Sequence, residues 1–80
     1  MKAYILINTQ IGKTTEVVKE LSKMDEIKKL DIIMGPYDII AEVEAKDHDT
    51  LSQVVINRMQ KIDAIKHTMT CPVVHMEEAL

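Results

Sequence analysis

Two hydrophobic periods alternate along the chain and divide it into elements. Residues 3–10, Ala-Tyr-Ile-Leu-Ile-Asn-Thr-Gln, start β-branched and aromatic and end polar, which predicts a first strand closed by Gly12. From Thr14 or Thr15 the period lengthens. Val17, Val18, Leu21 and Met24 mark one helical face, Glu16, Lys19, Glu20 and Lys23 take the other, and a threonine hydroxyl caps the start. Residues 27–34, ending Leu30-Asp31-Ile32-Ile33-Met34, read as a second strand, and the Gly35-Pro36 turn separates it from a third at 37–45. Asp47 or Asp49 caps a second helix, in which Leu51, Val54, Val55, Arg58, Met59 and Ile62 include an apolar stripe. Residues 65–75 read as the last strand.

This βαββαβ order predicts an α+β fold, a ferredoxin-like sandwich with a four-stranded antiparallel sheet and two helices on one face. A single domain spans residues 1–80, with no linker or low-complexity segment. The first and third strands are central. Pro72, which cannot donate to a ladder, puts the fourth at an edge. Alternation then separates the faces. Ile39, Ala41, Val43 and Ala45 point to the helices, as do Ala3, Ile5 and Ile7. The helix-free face is expected to carry Tyr4, Leu6, Ile40, Glu42, Glu44, Thr68 and Thr70, with His67, Met69 and Cys71 on the helix side. A face so mixed is too apolar for water and too polar for a core, so a second subunit packed sheet to sheet is expected to cover it.

Size sharpens that expectation. A domain of 80 residues buries only about 60% of the surface its unfolded chain exposes. With no Trp or Phe, two Tyr and six Met, its core is aliphatic and gains from association. The 10 basic and 13 acidic residues are interspersed, giving a formal charge of −3, which argues against a phosphate-binding nucleic-acid surface. The lone Cys71 cannot form an internal disulfide, and Met1-Lys2-Ala3-Tyr4 does not open a secretory signal, so the expected location is cytoplasmic. No apolar run reaches the roughly 18 residues that span a bilayer.

Several residue groups invite a chemical reading. Gly12-Lys13-Thr14 has the end of a phosphate-binding loop, but Ile7 stands where that loop needs glycine, which leaves an ordinary strand-to-helix turn. Asp47-His48-Asp49 with His67 and His75 lacks the spacing of a metal site, and no metal or other cofactor is expected. His67 and Cys71 are separated by about 13 Å along a strand, too far for a nucleophile and its base. Glu42 and Glu44, about 7 Å apart on one face, read as a solvated or salt-bridged stripe. No catalytic residue is expected.

Gly35-Pro36-Tyr37-Asp38 is a hairpin turn by composition. The stretch Met34-Gly35-Pro36-Tyr37-Asp38-Ile39-Ile40-Ala41-Glu42-Val43-Glu44-Ala45-Lys46-Asp47, followed by Leu51, Ile62, Ile65 and Thr68-Met69-Thr70, resembles the effector-binding module of the Lrp/AsnC transcription regulators, the RAM domain. The resemblance runs from the first strand to about His75, and its most specific part is Gly-x-Tyr-Asp leading into an apolar strand.

The resemblance implies a homodimer formed through the sheets and further assembly, commonly an octamer of four dimers. It also implies a small-molecule effector, usually an amino acid, at subunit interfaces near Gly35 to Asp38. Met34, Gly35, Pro36, Tyr37, Asp38, Thr68 and Thr70 are then the ligand-binding candidates. Gly35 and neighbouring amides meet a carboxylate, Asp38 accepts from an α-ammonium group, Tyr37 supplies a wall, and Thr68 and Thr70 supply hydroxyls from a neighbouring chain. Met34 stands where the family often has a hydroxyl residue, and Ala64 where it often has glycine. The helix-turn-helix domain of the full-length regulators has no counterpart in these residues, so the expectation is a stand-alone, non-enzymatic regulatory module that senses amino acids, co-assembles with full-length regulators and makes no direct contact with DNA. Dimeric α/β-barrel enzymes, such as small monooxygenases and isomerases, share this strand order and are the alternative.

Overall fold

A computed structural model describes residues 1–75; residues 76–80 of the expected domain lie outside the described residues. Strand β1 (Lys2–Thr9) is followed by helix α1 (Thr14–Leu21), β2 (Ile27–Ile32) and β3 (Ile39–Glu44). Helix α2 occupies residues 48–60 and β4 is Ile65–Pro72. The sheet order is β2-β3-β1-β4 and every pairing is antiparallel, so β1 and β3 are central as expected.

Strict alternation in β1 is what builds the core. Ala3, Ile5, Ile7 and Thr9 are buried, while Lys2, Tyr4, Leu6 and Asn8 between them are half-buried. Opposite them, Ile39, Ala41 and Val43 of β3 are buried on the same side. Val17 and Leu21 of α1, with Met24 just beyond it, and Leu51, Val55 and Met59 of α2 close over these strands. The expected core of the two central strands is therefore found residue for residue.

The helix starts follow two different rules. Asp47 caps α2, its Oδ1 accepting the Thr50 backbone N–H at 2.8 Å. That bond, with the Thr50 side chain, holds the Asp47 carboxyl below its ordinary value. No hydroxyl caps α1: Lys13 occupies the N-cap without a side-chain bond, because the Thr14 hydroxyl is 2.8 Å from that of Thr9 instead. Gly12 turns the chain there in the left-handed region, φ +79°. The middle of α2, Leu51–Ile56, is π-helical. Val54 consequently leaves the expected apolar stripe and is 36% exposed, while Leu51, Val55 and Met59, spaced by four, stay buried.

Strand ends are shorter than alternation implies. β2 stops at Ile32, β3 starts at Ile39 and β4 stops at Pro72, because the segments beyond them leave the ladder for loops. Two register shifts also interrupt the period: one in β2 between Ile27 and Lys29, one in the pairing of β1 with β4 at Asn8/Thr9.

The second shift accompanies the main correction to the fold. Thr68 pairs with Ile7 and Thr70 with Ile5, so both threonines lie on the helix side, half-buried, rather than on the helix-free face. His67, Met69 and Cys71 pair with Asn8, Leu6 and Tyr4 and occupy the helix-free face, all three exposed. Alternation names two sets of residues but not which set is inside, and a one-residue slip exchanges them. At the edge strand the helices cover little, so hydrophobicity does not choose the face for the sequence.

Candidate functional site

The β2–β3 connection, residues 33–38, rises past the end of β1 and has an exposed crest over an anchored base. Met34, Gly35 and Pro36 are exposed. Gly35 sits at φ +157°, a conformation side-chain-bearing residues rarely adopt, and a Cβ there would meet no atom within 4 Å. Its backbone is therefore open to close approach from outside.

Asp38 fixes the base. Its Oδ2 accepts the Thr9 backbone N–H at 2.8 Å and lies 3.4 Å from the Thr9 hydroxyl. Its own N–H donates to the Ile7 carbonyl, and its carbonyl accepts from Ile33, both at 2.9 Å. A carboxylate placed this way extends the β1 ladder beyond its last strand pair. Asp38 is expected from the sequence to meet a ligand ammonium; the fold uses at least one of its oxygens to hold the loop.

Tyr37 leans across to β4. Its ring stacks on His67, with centroids 6.5 Å apart and planes at 21°, and its hydroxyl is 3.7 Å from the Met69 sulfur. Tyr37 of the loop is thus brought together with His67 and Met69, whereas Thr68 and Thr70 of the same chain lie on the opposite side of the sheet. Sequence reasoning puts Met69 near the loop, though on the other face, and misses His67 as its neighbour. Their signal is the period-two spacing itself, read with the faces exchanged.

From the loop the helix-free face runs down the sheet through a polar row, an apolar row and then increasingly charged ones. Asn8 and His67 come first, then Leu6, Met69 and Ile40, then Tyr4, Cys71 and Glu42, and finally Lys2 and Glu44. Lys2 pairs with Glu42 at 3.5 Å and lies 5.3 Å from the Tyr4 ring centroid. Tyr4, followed by the charge of Glu42, raises the Lys2 ammonium above its ordinary value. Glu42 thus belongs to an ion pair, as the stripe reading expects. A hollow of about 140 Å³ lies among Tyr4, Lys29, Asp31, Ile40 and Glu42.

A larger cleft, about 410 Å³, lies on the helix side between α1 and residues 61–64, with Lys13, Glu16, Glu20, Lys61 and Asp63 on its walls. The loop residues do not line it. Cys71 is a free, exposed thiol on the helix-free face, not the helix-side apolar residue expected. Among the described residues no three His, Cys, Asp or Glu side chains group as metal ligands, and no helix is long and apolar enough to cross a membrane.

Comparison with known proteins places this geometry. The Lrp/AsnC ligand binding domain model matches residues 2–77. An HTH-type transcriptional regulator of Pyrococcus horikoshii is 38% identical over 68 residues, covering 85% of this chain and 43% of that protein. The chain thus spans less than half the length of that relative. A homocitrate synthase of Sulfurisphaera tokodaii shares 37% identity over 57 residues, 71% of this chain but only 12% of the enzyme. Among solved structures, FFRP-DM1 superposes with a TM-score of 0.87 at 33% identity, covering 91% of this chain and 97% of that one. A Neisseria meningitidis transcriptional regulator, solved as an L-Met complex, shares the fold with a TM-score of 0.84 at 14% identity over 96% of this chain and 51% of its own.

Proposed function

The chain belongs to the Lrp/AsnC ligand-binding domain family, and from that premise we propose that it is an amino-acid-sensing regulatory module whose effector binds where residues 34–38 meet a second copy. One observation carries the reading: an exposed Gly35 crest stands on a base held by Asp38 and Tyr37, at the margin of a half-apolar sheet face. Gly35 and its neighbours offer amides to a carboxylate, and Met34, Pro36 and Tyr37 offer apolar contact. Thr68 and Thr70 lie on the opposite side of edge strand β4 and serve a neighbouring molecule's loop, not their own.

The mechanism is linkage. An effector that touches two chains favours the assembly in which both are in place, and the assembly in turn raises effector affinity. Copies pair through the helix-free face around Leu6, Ile40 and Tyr4, dimers associate through their loop ends into an octamer of four dimers, and DNA-binding relatives join through the same surfaces. The L-Met complex of the Neisseria regulator supports an amino acid as the effector class. The homocitrate synthase match supports a sensing unit that serves enzymes as well as DNA-binding proteins, since it occupies 12% of that enzyme.

Titration calorimetry across the twenty amino acids tests this reading. Saturable heat is expected for a subset, with affinity reduced tenfold or more in Tyr37→Ala. Absence of saturable heat with every one of them refutes it.

A further inference from the structure

Position 9 continues the inward series of β1, Ala3, Ile5 and Ile7, where valine would have the same shape, yet it is threonine. Thr9 is 7% exposed, the one polar side chain buried among the described residues. A buried hydroxyl is costly unless it is hydrogen-bonded, and this one meets partners from two different segments. Its Oγ1 lies 2.8 Å from the Thr14 hydroxyl at the start of α1 and 3.4 Å from Asp38 Oδ2 in the β2–β3 loop. The Thr9 backbone N–H donates to that same Oδ2 at 2.8 Å. A carboxylate only accepts and each hydroxyl has one proton to give, so the chain that satisfies all three groups runs from Thr14 to Thr9 to Asp38. Its negative end polarises both hydroxyls.

We infer that Thr9 is a positioning residue that couples the β2–β3 loop to the helix layer, so that a change at Asp38 is felt at the start of α1. Lys13 at the N-cap makes no side-chain capping bond, which leaves the Thr9–Thr14 contact as the side-chain tie at this end of the helix. The next residue extends the link. Gln10 donates its backbone N–H to the Ala64 carbonyl at 2.8 Å and its side-chain amide to the Asp63 carbonyl at 3.4 Å, and its own carbonyl accepts the Lys13 N–H at 3.0 Å. Thr9 and Gln10 therefore hold the loop, the first turn of α1 and residues 61–64 together, and the last two are walls of the cleft of about 410 Å³. Resting on the effector reading above, a ligand seated on residues 34–38 displaces or screens Asp38, and the cleft on the other side of the sheet is the part that responds.

A double-mutant cycle in denaturant titrations of the intact chain tests the coupling without a ligand. Asp38→Ala and Thr14→Val alter groups that share Thr9 as a partner, and their joint effect on the unfolding constant is expected to depart from the product of the single effects by about threefold or more. The departure should persist in Thr9→Ser, which keeps the hydroxyl, and vanish in Thr9→Val, which a purely structural role for Thr9 does not require. Independent effects of Asp38→Ala and Thr14→Val overturn the inference, whatever binds the loop. Hydrogen exchange adds the ligand: an amino acid that binds in calorimetry should change exchange at the Val17 and Val18 amides in the wild type and leave it unchanged in folded Thr9→Val. Binding without that change overturns transmission to α1 and leaves the sensing function standing. If no amino acid binds, the sensing reading falls and the cycle alone decides the coupling.

Discussion

The two faces of the sheet are built from the same strands and the same alternation, yet they do different work. Beneath the helices, Ile5, Ile7, Ile39 and Val43 are wholly buried by their own chain. On the other face Tyr4, Leu6 and Ile40 are half-buried, with ion pairs at one end and the Tyr37 loop at the other. The first face has its free energy settled by folding; the second leaves apolar area uncovered by its own chain, which is what the proposed association would bury. The contrast is the reason for proposing assembly through the incomplete face.

Mutations sharpen the contrast in order of size. Leu21→Ala, under the helices, should cost about 2–5 kcal/mol, enough to lower or abolish cooperative unfolding in thermal melts. Leu6→Asp and Ile40→Asp should instead convert the assembly to monomers at micromolar concentration, seen by light scattering, while circular dichroism keeps its folded signature. If Leu6→Asp unfolds the isolated chain as thoroughly as Leu21→Ala does, the two faces are not distinct. Asp38→Ala removes the acceptor for Thr9 and should cost about 1–2 kcal/mol in denaturant titrations, intermediate between core and surface.

The α2 cap gives the smallest effect, and a pH signature. Because the Asp47 carboxyl is lowered in the folded chain, the unfolded state binds more protons in acid. The cap's contribution is present above the ordinary carboxylate value and is lost as pH falls through the lower folded value. Asp47→Ala should therefore lower the melting temperature by a few degrees near neutrality, and the difference from wild type should shrink in acid. A difference independent of pH contradicts the cap account.

Most of the fold was legible because β1 and β3 are central strands with unambiguous alternation. Ala3, Ile5, Ile7, Ile39, Ala41 and Val43 needed no wider context, since strands with both neighbours in place leave such side chains only the helices to face. β4 differed because Thr68, Thr70, Met69 and Cys71 are all compatible with a partly covered edge, and only the pairing with β1 assigns their faces. The same local choices explain α1, where Thr14 could cap the helix or meet Thr9 and does the latter. The loop was visible as Gly-Pro-Tyr-Asp. Its bracing was not, since contacts from Tyr37 to His67 and Met69 join residues distant in sequence.

Sedimentation velocity, with and without the amino acids that bind in calorimetry, tests most directly whether the loop couples effector to assembly. Effector is predicted to shift the wild-type distribution between oligomeric forms, and Tyr37→Ala, though folded, to lose the shift. Binding that leaves the wild-type distribution unchanged at every protein concentration would contradict that coupling.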